Sequence, residues 1–70
     1  MTRNKLLSAA IAVTMAHQAH AQAVDSLCRV KASRDTQAQR RAQARVDAAL
    51  HRLMALENEA RRIEAQNARG

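Results

Sequence analysis

The chain contains no proline, and its single glycine is residue Gly70. The usual punctuation of strands and tight turns is therefore missing throughout, and the helix formers Ala, Arg, Gln and Glu dominate from Ala38 onward. The expectation is an all-α chain. With 70 residues and no aromatic side chain, it sits at the lower limit, roughly 70 to 80 residues, at which one hydrophobic core holds a domain without disulfides, metals or partners.

The N-terminal third has the layout of an export leader. Arg3 and Lys5 form a basic start, and Leu6 to Ala16 (LLSAAIAVTMA) form an apolar run of eleven residues. That length suits a signal-peptide core of about 7 to 15 residues and falls short of the roughly 20 needed to span a bilayer. Ala19-His20-Ala21 is an A-x-A cleavage site, and Ala21-Gln22-Ala23 is a second. Residues 1–21 are thus expected to be a cleavable signal peptide, cut after Ala21 or Ala23, that delivers a bacterial protein to the periplasm or medium. An uncleaved amphipathic anchor is the competing reading. Lipidation at Cys28 is disfavoured, because Leu27 occupies the position before it, where a small residue is needed.

Removal of 1–21 leaves 49 residues, of which only eight are Leu, Ile or Val. A segment so poor in apolar residues does not build the rigid scaffold that positions catalytic groups, so the expectation is no enzyme, no cofactor and no metal site. Without Arg3 and Lys5 it holds ten basic against six acidic residues. A basic chain of this kind binds nucleic acid, anionic lipid surfaces or acidic proteins. Export disfavours the first, as does the absence of aromatics for base stacking.

Residues 22–35 read as a flexible basic segment and 36–67 as one amphipathic helix, its start marked by a capping box of Thr36 and Gln39 or by Ser33. Val46, Ala49, Leu53, Leu56, Ala60 and Ile63 step by three and four, a heptad stripe with Val46, Leu53 and Ala60 at a and Ala49, Leu56 and Ile63 at d. Leu50 widens it. Such a face makes either a short coiled coil or a helix docked on another envelope protein, since an isolated helix of this length is marginal in water. Arg52 at g and Glu57 at the next e would pair across a parallel dimer, and Glu57 with Arg61 would support the helix itself.

Charge divides the segment further. From Cys28 to Arg45 six basic residues face Asp35 alone, whereas beyond Val46 four Arg balance four acids. Arg34, Arg41, Arg45 and Arg52 fall near one helical face, a candidate contact for anionic lipid headgroups, though a solvated face is the simpler reading. Cys28, the single cysteine, excludes an internal disulfide and is either a free thiol or an interchain disulfide candidate in an oxidising compartment. His51 stands one turn after Asp47, a surface contact and too few ligands for a metal.

The stretch Asp47-Ala48-Ala49-Leu50-His51-Arg52-Leu53 resembles the helical domain of the periplasmic LprI-type lysozyme inhibitors, with His51 in place of that family's Asn and the second cysteine missing. The leader ending in Ala19-His20-Ala21-Gln22, followed by a Gln-rich helix, is similar to the start of minor pilins of type IV secretion systems. These likenesses imply a periplasmic inhibitor or a secretion-system accessory protein, and neither assigns the chain to a family.

Overall fold

The protein, a computed structural model, is described over residues 2–69, with side chains from Asn4 onward; Met1, Gly70 and the side chain of Arg3, assigned above to the leader's basic start, lie outside the described residues. Two helices make up the fold. α1 spans Thr2–Lys31 and α2 spans Thr36–Arg69, and they pack side by side as an antiparallel hairpin. The rod measures 55 × 14 × 12 Å with a radius of gyration of 16.0 Å, against roughly 11 Å for a compact chain of this size.

The all-α expectation is met, and the second helix runs two residues beyond the expected end at Asn67. Two features differ from the sequence reading. The stretch expected to be flexible, from Gln22, is helical as far as Lys31 and continues α1 without interruption. The chain also forms two helices and not one, because the segment read as a leader becomes most of α1 and covers the α2 stripe from within the same molecule.

The reversal needs no glycine and no residue with positive φ. α1 ends as the N–H groups of Ala32 and Ser33 turn back to the carbonyls of Arg29 and Val30 at 3.3 and 2.9 Å, while the Ser33 hydroxyl donates to the Val30 carbonyl at 2.7 Å. Short polar side chains compete in this way with the helical ladder and end it. Asp35 then starts α2. Its Oδ1 accepts the N–H of Ala38 at 3.1 Å, so the N-cap is Asp35 and neither Thr36 nor Ser33. Gln39 does reach back, as a capping-box partner should, but its Nε2 donates to the Ser33 carbonyl at 2.9 Å.

Between the helices lies a thin seam. Its buried side chains are Ala16 and Leu27 of α1 and Ala42 and Leu53 of α2, with no buried polar group among the described residues. Fully burying a leucine contributes roughly 1.5–3 kcal/mol and a single methyl much less, so among these four the two leucines contribute most. No helix among the described residues is long and apolar enough to cross a membrane.

Candidate functional site

The candidate site is the face of α2 and whatever covers it. Leu53 is buried, Val46, Ala49, Leu56, Ala60 and Ile63 are half-buried, and Leu50 stays exposed at the edge. The stripe extends one heptad further toward the turn than the sequence reading took it. Gln39 is half-buried and Ala42 buried, in register with Val46 and Ala49.

The covering helix carries a matching repeat. Leu6, Ala9, Val13, Ala16, His20, Ala23, Leu27 and Val30 step by three and four along α1, and all are buried or half-buried. Shared grooves fix the register. Lys5, Ser8 and Ala9 line one with Glu59, Ile63 and Gln66, Ala16 and Ala19 another with Arg52 and Leu56, and Ser26 and Val30 a third with Ala42 and Arg45. Every a position of one helix is thereby level with a d position of the other: Leu6 with Ile63, Ala16 with Leu53, Ala23 with Val46, Leu27 with Ala42. The repeat of α1 was present in the sequence. It was masked because Leu6 to Ala16 is apolar on all sides, so no stripe stood out from its surroundings, and His20 and Ala23 read as parts of a cleavage region.

The outer side of α1 is the second notable surface. Leu7, Ile11 and Met15 are 61%, 53% and 63% exposed, Met15 at the rim of the groove it shares with Arg52 and Leu56. A helix apolar on both sides suits burial in protein or lipid, and α2 covers one side only.

The charged flanks of the seam are not matched across it. The register sets Arg45 beside Ser26, Arg52 beside Ala19, Glu59 beside Ala12 and Glu57 beside Ala10, and the one described α1 charge that shares a groove with any of them is Lys5, with Glu59 and at no ion-pair distance. The ion pairs formed lie within single helices, Arg29 with Asp25 and Arg62 with Glu59, the latter at 3.5 Å. The expected Glu57 to Arg61 pair is not among them. Nor does Asp47 meet His51: its Oδ1 accepts from Gln43 Nε2 at 3.0 Å, because side chains of an α-helix lean toward its N-terminus and Gln43 lies one turn back in that direction.

Of the four arginines assigned to an anionic surface, Arg34 sits in the turn, and Arg41, Arg45 and Arg52 follow one flank of α2; all four are exposed. Arg41 and Arg45 line the same groove, and Arg41 donates to the side-chain oxygen of Gln37 at 3.5 Å. The structure therefore brings three of the four together and leaves them without ion pairs among the described residues. Cys28 is a free, exposed thiol, and the described residues hold no cluster of His, Cys, Asp or Glu suited to a metal ion.

No family model matches the chain, and neither does any curated protein or solved structure. The stripe of α2, its flanking charges and the apolar helix laid on it are accordingly the features on which a functional reading must rest.

Proposed function

We propose that this is a small exported, non-catalytic interaction protein of the bacterial cell envelope, with the α2 stripe from Val46 to Ile63 as its binding face, used on itself or on a larger envelope component. The observation that carries the reading is the fit of a helix along that whole face: a heptad repeat of eight positions, seven apolar and the other His20, lies on it in unbroken a-to-d register. A surface that accepts one such helix accepts others of like pattern.

Export is supported by Leu7, Ile11 and Met15, exposed on a helix whose inner side is also apolar. A cylinder apolar all round behind a basic start is what a translocation machinery and a membrane interior accept. The test is intact-mass measurement on material expressed in a bacterium. A periplasmic product beginning at Gln22 or Val24 is expected, and a chain retaining Met1 in the inner membrane overturns the export reading.

A second reading, a cationic helix bound at an anionic membrane surface, is favoured by one observation, the exposed run of Arg41, Arg45 and Arg52 along a single flank. There the stripe would face the lipid in place of a protein partner, and helix that forms only in the presence of anionic vesicles is its signature.

A further inference from the structure

We infer that in the unprocessed chain α1 masks the α2 stripe, and that once residues 1–21 are removed the stripe is occupied by α2 of a second copy, antiparallel, with Leu53 of each chain level with Leu56 of the other. The inference rests on the export reading for its trigger and on the charge pattern of α2 for its partner.

Loss of 1–21 takes away Leu6, Ala9, Val13, Ala16 and His20, the residues covering α2 from Ala49 to Ile63. What remains of α1 is Gln22 to Lys31, ten residues, shorter than the roughly 12 to 15 at which an isolated helix is even marginal in water. The best-filled part of the stripe, Leu53, Leu56 and Ile63, is then bare.

A second α2 fills it better than α1 does. In the antiparallel register named above, Val46 faces Ile63, Ala49 faces Ala60 and Leu53 faces Leu56, each pair occurring twice. α1 instead offers alanine to Leu53, Ala60 and Val46, through Ala16, Ala9 and Ala23. The flanks decide the matter. Arg52 of each copy then stands beside Glu59 of the other, two opposite-charge pairs, and no like charges meet. Sliding one heptad in one direction sets Glu59 against Glu59 and Glu57 against Glu57; in the other it gains Arg45 beside Glu59 twice but sets Arg52 against Arg52 and gives Leu53 only Ala49 to pack on. A parallel in-register pair gains Arg52 with Glu57 but loses it again by setting Glu59 against Glu64. Against α1, by contrast, Arg52 meets only apolar side chains, and Glu59 shares a groove with Lys5 without forming an ion pair. Arg52, which has no ion pair within the hairpin, is the charge a second copy satisfies, its partner Glu59 being held otherwise only by the exposed Arg62 of its own helix at 3.5 Å, and each pair counts for more where the apolar seam holds it in place.

The experiment compares the sedimentation mass of the full chain before and after digestion with bacterial leader peptidase, in low salt. A monomer before and a dimer after are expected. Glu59→Arg should weaken the dimer at least tenfold by setting Arg52 against arginine, and adding Arg52→Glu should restore it. Digested chain that stays monomeric overturns the inference, and so does a dimer that Glu59→Arg tightens, since only a parallel pair gains from that change by way of Glu64. If the peptidase leaves the chain intact, the export reading fails alone. The masking is then tested in the full chain with Ala16→Lys, which forces a charge into the seam and should expel α1. Dimers, or helix regained as concentration rises, are expected. A helical monomer, or helix lost at every concentration, counts against the inference.

Discussion

Asp35 Oδ1 accepts the backbone N–H of Ala38 at 3.1 Å, and this one bond fixes where the second helix starts. The first turn of α2 contains no acidic residue of its own, so Asp35 also supplies the carboxylate that the positive helix end favours. Asp35→Ala should cost about 1 kcal/mol, within a range of roughly 0.5–2, read as a lower urea midpoint of the full chain. Asp35→Asn should keep most of the stability, and Thr36→Ala should change little. A larger loss at Thr36 than at Asp35 would show the cap to be misassigned.

Leu53 is 5% exposed and its neighbour Leu50 is 41% exposed, which turns the stripe into a paired measurement. Leu53→Asp removes the apolar contact and puts a carboxylate in the seam, costing at least the roughly 2–5 kcal/mol of a buried leucine truncation. Leu50→Asp should cost well under half of that. Circular dichroism of the full chain should report collapse of helix for the first and a near-native spectrum for the second. Equal effects would mean that the hairpin does not depend on this face.

Cys28 lies exposed one turn from the end of α1, so an alkylating reagent should modify it fully without denaturant. In the antiparallel dimer inferred above, the two thiols sit near opposite ends of a pair of 34-residue helices, about 50 Å apart by helical rise. A disulfide needs Cα atoms about 5.5 Å apart. Oxidised, processed protein should therefore run as a monomer on non-reducing gels. A reducible dimer that Leu53→Asp abolishes would instead establish parallel chains, with Cys28 as their interchain bridge.

The arginine flank makes a separate prediction about lipid. Replacing Arg41, Arg45 and Arg52 together by Gln should weaken binding of the full chain to phosphatidylglycerol vesicles by about 1 kcal/mol per residue, and added salt should weaken the wild type in the same direction. Unchanged binding, or equal binding to zwitterionic vesicles, would remove the membrane-surface reading.

The sequence by itself determined that the chain is helical, that a second helix begins near residues 33–36, and that Val46 to Ile63 form one apolar stripe. These are local properties, fixed by residue propensity and by the match between a three-and-four spacing and the helical turn. It also held the repeat of α1, but there the apolar residues surround the helix and periodicity carries no contrast. What only the tertiary structure decided is which face covers which. That depends on Ser33 and Asp35 reversing the chain without a glycine, and on the register this turn imposes, which sets Ala16 level with Leu53 and leaves Arg52 facing alanine. Pairing across a seam joins residues far apart in the chain, and spacing within one helix cannot encode it; that Arg52 finds no partner across the seam became visible only once both helices were laid side by side.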